Sequence, residues 1–224
     1  VYPACNPLAL DAVQRGIPFS NLDMNTLFPG NPTGGIGEHI AHCLLQDFVG
    51  ADVCVDVHSS NIFLREVPQV RINDDNVEEL LPLAKQLNSD LIWVHPSSTV
   101  KEGSLSFSLN EMGVKTMVIE AGVALQVDYT YCNQLIDGIF SLMKHLGIWT
   151  GETIVPAEPK LALDRTVAYV NVSESGTFIP AVSHRSVVKK GQLIGKVVTV
   201  ITGSVEEELY APCDGEIFSI REYP

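Results

Sequence analysis

The sequence predicts an α/β protein: a mostly parallel or mixed sheet with helices on both faces, followed by a smaller all-β module. Three observations carry this. Through residue 146, apolar runs of strand length alternate with stretches whose apolar residues fall at helical spacing, the pattern of strand–helix–strand units. Thr150–Pro159 is rich in Gly, Pro and Glu and reads as a linker. After it come only short apolar runs with turn signals at roughly ten-residue intervals, and no helix fits there. The reading divides the chain into an α/β domain over residues 1–150 and a β module over 151–224.

In order, Asn6-Pro7 signals a turn and Leu8–Val13 a short helical piece. Pro18–Gly35 holds three Pro and three Gly, with Asn21, Asn25 and Asn31 among them, and reads as a long irregular loop. Loops of that length in compact domains usually serve function. Ile40, Ala41, Leu44, Leu45 and Phe48 make Gly37–Val49 a helix, and Val53–Val57 is a buried strand. Helical spacing returns over Asn76–Asn88, and Leu91–Val94 is a strand. Ser104–Met112 is a helix stopped by Gly113, Lys115–Ile119 a buried strand, and Tyr129–Leu146 a long helix stopped by Gly147. In the β module, strands are expected at Ala168–Val172, Gly176–Ile179, Ser186–Val188, Gln192–Val200, Glu208–Ala211 and Glu216–Ile220. The sequence opens at Val1, without a Met, on what reads as the end of a strand, and this points to a piece of a longer protein.

The formal net charge of -13 argues against nucleic acid or an anionic membrane surface as a partner. No run approaches the ~20 apolar residues of a membrane span, and no signal peptide opens the sequence. The five cysteines are scattered, odd in number and without CxxC spacing, which fits reduced thiols in the cytoplasm better than a disulfide framework.

Chemistry concentrates at three segments. In Asp56-Val57-His58-Ser59 a buried strand ends on an imidazole, and Asp56, two positions earlier, shares its face. Leu22-Asp23-Met24-Asn25-Thr26-Leu27-Phe28-Pro29-Gly30 lies in the long loop, preceded by Arg15. Gly113-Val114-Lys115-Thr116-Met117-Val118-Ile119-Glu120-Ala121-Gly122 runs from a turn through a strand to a carboxylate. In this order and spacing the segments resemble the succinylglutamate desuccinylase/aspartoacylase family, a branch of the zinc carboxypeptidase-like amidohydrolases. The resemblance covers nearly the whole chain. Gly191-Gln192-Leu193-Ile194-Gly195 and Ala211-Pro212-Cys213-Asp214-Gly215 are similar to the barrel-sandwich appendage of that family.

The resemblance implies a zinc ion held by an HxxE motif and a later His, matched by His58. It also implies Glu120 as the carboxylate that takes a proton from the metal-bound water and passes it to the leaving amine. Zinc lowers the pKa of its water to about 7, and a carboxylate at the same sheet edge serves as general base and acid. Asn25, Arg15 and Arg65 are the substrate-binding candidates, with Arg71 a further cation after the His58 strand.

The sequence departs from the family pattern in two ways. None of His39, His42, His58, His95, His145 and His184 is followed three residues later by Glu, so HxxE is expected ahead of Val1. The arginines expected to clamp a substrate carboxylate are replaced by Thr26 and, near the helix before the catalytic strand, Ser106. A hydroxyl does not replace a bidentate guanidinium, so recognition as an N-acyl aspartate or N-succinyl glutamate is not expected. His39 and His42, at i and i+3 on a helix, offer a weaker metal reading. The β module is also similar to biotinyl or lipoyl carriers, but its hairpin tip reads Thr202-Gly203-Ser204, without the Lys that carries the cofactor. Steric gating or contact with a second copy of the chain fits it better. The expected function is zinc-dependent hydrolysis of an amide in a small N-acylated amine or amino acid. The alternative is a non-catalytic binding or scaffold protein on the same fold.

Overall fold

The structure is a computed structural model and describes residues 1–97 and 102–222. Its helices are α1 (Pro7–Asp11), α2 (Ile36–Phe48), α3 (Val77–Ala84), α4 (Leu105–Glu111) and α5 (Tyr129–His145). The strands through the first two thirds are β1 (Val53–His58), β2 (Leu64–Asn73), β3 (Leu91–His95) and β4 (Lys115–Gly122). The remainder are β5 (Lys160–Leu163), β6 (Thr177–Pro180), β7 (Val187–Val188), β8 (Leu193–Val198), β9 (Val205–Tyr210), β10 (Gly215–Glu216) and β11 (Ser219–Arg221). The large sheet runs β1-β4-β2-β3-β5, with β11 also paired to β2.

The expected α/β class holds, and of the two expected sheet types it is the mixed one. The sheet is mixed: β3 and β5 are parallel, whereas β11 lies antiparallel to β2 with Ser219 opposite Glu66. The ten-residue β2 has no counterpart in the sequence reading, because Arg65, Glu66, Pro68, Gln69 and Arg71 spoil an apolar run and a proline demotes a strand. Pro68 still contributes its carbonyl, which accepts the Asp90 N–H at 2.8 Å just ahead of β3.

By contact the chain groups into two compact units. One comprises Val1–Asp56, Ile72–Leu80 and His95–Val118, and the other Val57–Arg71, Leu81–Val94 and Ile119–Pro224. In the first, Ala41 and Leu45 of α2 and Leu105 and Leu109 of α4 pack with Val114. Ile17, Met24 and Phe28 join this core, so three apolar anchors pin the long Pro/Gly/Asn loop in place. Helix α4 is capped at its start by Ser104, whose hydroxyl accepts the Phe107 N–H at 3.2 Å, and it ends before Gly113 at φ +82°.

Cys54 sits in this unit on β1. Burial, reinforced by the Asp56 charge, pushes its thiol up to about 11, and burial also raises Cys5. Cys43, Cys132 and Cys213 are exposed. Because the thiolate is the nucleophile, iodoacetamide at pH 8 is expected to label the three exposed thiols and spare Cys54, read by peptide mass mapping. Labelling of Cys54 at the rate of Cys43 would contradict its burial.

In the second unit Val67, Leu91, Trp93 and Ala162 form one core, and Val188, Ile194, Leu209 and Ala211 another under the β module. The module departs from the expected barrel-sandwich. Among the described residues its strands form a three-stranded antiparallel sheet, β6-β8-β9, and a separate pair, β10-β7, with no closed barrel. Ala168–Val172, expected as a strand, is irregular, while β5 and β11 join the large sheet instead. The β8–β9 tip is held by hydroxyls: Thr202 Oγ1 lies 2.6 Å from both Thr199 Oγ1 and Ser204 Oγ. No helix among the described residues is long and apolar enough to cross a membrane.

Candidate active site

His58 is the last residue of β1, and Glu120 lies two residues short of the end of its neighbour β4. Glu120 is thus inside the strand, where the sequence reading had it following one. Gly122 ends β4 at φ +71°, a left-handed conformation that favours glycine. The loops leaving these two strands are joined. Asn61, three residues after His58, accepts the Ala124 N–H on its main-chain carbonyl at 3.2 Å. Its side-chain oxygen accepts the N–H groups of Phe63 and Leu64 at 2.8 and 2.9 Å, which fixes the turn into β2. An imidazole and a carboxylate therefore stand at the tied ends of adjacent strands, the position where open α/β sheets place ligands.

Glu120 is nearly buried, its side chain 14% exposed, and Arg71 of β2 reaches its Oε1 at 3.4 Å. The same guanidinium meets both carboxylate oxygens of Glu66 at 3.2 Å, and it lies over the Trp93 ring at 5.6 Å from the centroid. Arg71 is therefore committed to protein carboxylates rather than held out for substrate. Arg65 is on the same strand, β2. It bonds Glu222 at 2.7 Å, approaches Asp128 to 3.7 Å, and lines a cavity of about 250 Å³ with Gly122, Val123, Gln126 and Tyr129. His58, Arg65 and Glu120 all belong to the second unit.

The other two substrate candidates belong to the first unit and are engaged locally. Arg15 is exposed and bonds Asp23 through Nε and Nη2, each at 2.9 Å. The side-chain oxygen of Asn25 accepts the N–H of Leu105, the first residue of α4, at 3.2 Å. Thr26 turns back to donate to the Asp23 carbonyl at 2.7 Å, and Ser106 Oγ lies 3.4 Å from Ser104 Oγ. On α2, His39 Nδ1 lies 3.0 Å from the Pro32 carbonyl and its Nε2 3.6 Å from Cys43 Sγ. Among the described residues no three His, Cys, Asp or Glu side chains come together to hold a metal, so neither His58 nor the His39–His42 pair heads a complete ligand set here. The role of Arg71 as partner of Glu120 was not legible in the sequence, since the two lie 49 positions apart.

The family profile described as succinylglutamate desuccinylase/aspartoacylase catalytic domain matches residues 1–146. The chain belongs to this family. An N-alpha-acetyl-L-2,4-diaminobutyric acid deacetylase of Halomonas elongata is 26% identical over 241 residues, covering 100% of the chain and 67% of the relative. Among solved structures, the product-bound ectoine utilization protein EutE (DoeB) from Ruegeria pomeroyi superposes with a TM-score of 0.86 at 24% identity, over 98% of this chain and 68% of that one. A succinylglutamate desuccinylase/aspartoacylase from Rhodobacter sphaeroides does so with a TM-score of 0.84 at 22% identity, over 98% and 68%. These two show the fold. The family takes its name from deacylases, and the desuccinylase/aspartoacylase fold extends beyond the matched residues into the β module.

Proposed function

We propose that the chain hydrolyses the amide of a small N-acylated amine or amino acid, with Glu120 as the proton-carrying carboxylate. The observation that carries this reading is the pairing of His58 and Glu120 at the tied ends of adjacent strands, in a chain of the desuccinylase/aspartoacylase family. Glu120 would take a proton from the attacking water and return it to the departing nitrogen, which must be protonated to leave. Zinc, when bound, would supply a water acidic enough to attack near neutral pH. His58 would be one of its ligands.

Asn25, Arg15 and Arg65 are the substrate-binding candidates of this reading. With Thr26 and Ser106 where carboxylate-clamping arginines would stand, substrates of the N-acetyl-2,4-diaminobutyrate kind fit better than N-acetylaspartate or N-succinylglutamate. A cytoplasmic location belongs to this reading, and the free cysteines support it.

The test measures amine release from these three compounds, before and after dialysis against a chelator. The expected result is turnover of the diaminobutyrate derivative, lost on dialysis and restored by Zn²⁺. Turnover insensitive to chelation would remove the zinc. Saturable binding of an acylated amine without release would favour the scaffold reading.

A further inference from the structure

Glu66, Arg71 and Glu120 form one ion cluster, and its geometry is unequal. Glu66 and Glu120 are nearly buried, their side chains 8% and 14% exposed, and they share a single guanidinium. Arg71 gives the stronger grip to Glu66, with Nη2 3.2 Å from both oxygens, and only an Nη1 contact at 3.4 Å to Glu120 Oε1. The plane of the guanidinium is set from below by the Trp93 ring. Glu66 is set in turn from β11, where Ser219 donates its hydroxyl to Glu66 Oε1 at 3.4 Å and sits opposite Glu66 in the strand pairing. A path of contacts thus runs from Ser219 through Glu66 and Arg71 to Glu120.

Stability alone accounts poorly for this arrangement. Burying two carboxylates and a guanidinium carries a desolvation penalty, and well-packed apolar residues are often at least as stable in such a place. What the cluster does supply is a fixed direction for one Glu120 oxygen. The 3.4 Å Nη1 contact orients the carboxylate, while the closer Nη2, which bridges both oxygens of its partner, goes to Glu66. A group that must accept and then return a proton needs that combination of aim and freedom.

We propose that Arg71 is a positioning residue for Glu120, anchored by Glu66 and by Ser219 of the C-terminal strand β11. The proposal rests on the deacylase reading and goes beyond it. Its test uses the purified protein with N-acetyl-L-2,4-diaminobutyrate as probe, and compares Arg71→Lys, Glu66→Gln and Ser219→Ala with Glu120→Gln. Lysine keeps the charge but lacks the fork that spans two carboxylates. Since small misplacements at a reacting group are costly, Arg71→Lys is expected to lower kcat about tenfold, with KM within about twofold. Glu66→Gln is expected to lower kcat less and Ser219→Ala least, with the melting temperature of both close to the parent. Added to Glu120→Gln, Arg71→Lys is expected to cause no further loss, because both changes act through one group.

Should Arg71→Lys fail to fold, Glu66→Gln and Ser219→Ala decide the matter. Full kcat in the folded variants beside a crippled Glu120→Gln would overturn the positioning role and leave the deacylase reading intact. Losses that multiply in the double variant would also overturn it. Full turnover by Glu120→Gln, or no release of amine by the parent protein, would bring down both.

Discussion

Replacing Glu120 by Gln is expected to lower kcat by about 10²–10⁴-fold, the usual contribution of a positioned general acid–base. That loss corresponds to roughly 3–5 kcal/mol of transition-state stabilisation. Gln has nearly the same shape and keeps a carbonyl oxygen that Arg71 can still reach, so the fold and KM are expected to hold. Steady-state kinetics beside circular dichroism would check this. A variant with parental kcat would mean that the Arg71–Glu120 pair at the end of β4 is structural.

The second large effect is on stability. Gly138 lies on the buried face of α5, and a β-carbon there would stand 2.1 Å from the Leu87 carbonyl oxygen and 2.3 Å from its carbon. Both are main-chain atoms of the turn at Lys85–Leu87, which cannot swing aside as a side-chain tip would. Helix propensity favours Ala over Gly by about 1 kcal/mol. Forced overpacking costs typically 1–3 kcal/mol and occasionally more, and with backbone on one side the upper part of that range applies. Gly138→Ala is therefore expected to destabilise by about 2 kcal/mol net, lowering the melting temperature by roughly 4–8 °C. A melting temperature unchanged or raised would show that α5 can shift away from Leu87 at little cost.

The contrast between what the sequence shows and what it hides follows from where each signal resides. α2, α4 and α5 are legible because their apolar spacing and end signals are local: Ser104 and Asp128 cap the starts, and Gly113 and Gly147 follow the ends at positive φ. β1, β3 and β4 are legible as compact apolar runs. β2 is not, because its polar side chains are satisfied by residues distant in sequence. Arg71 finds Glu120 49 positions away, and Glu66 finds Ser219 153 positions away. The same non-locality hides β11, which reads as part of the β module but pairs with β2, and β5, four residues that lie against β3. At the site, motif order singled out His58 and Glu120, and their strands are neighbours in the sheet. Motif order also singled out Asn25, but not that its side-chain oxygen holds the start of α4, 80 positions away.

The proposed reaction breaks an amide bond with water. It is tested most directly by incubating the protein with N-acetyl-L-2,4-diaminobutyrate in H₂¹⁸O and following the released acid by mass spectrometry. Hydrolysis predicts free amine and acid in equal amounts, with one solvent oxygen in each acid released, and a rate that collapses in the Glu120→Gln protein. Release no faster than in buffer, or at the same rate with Gln at position 120, would contradict it.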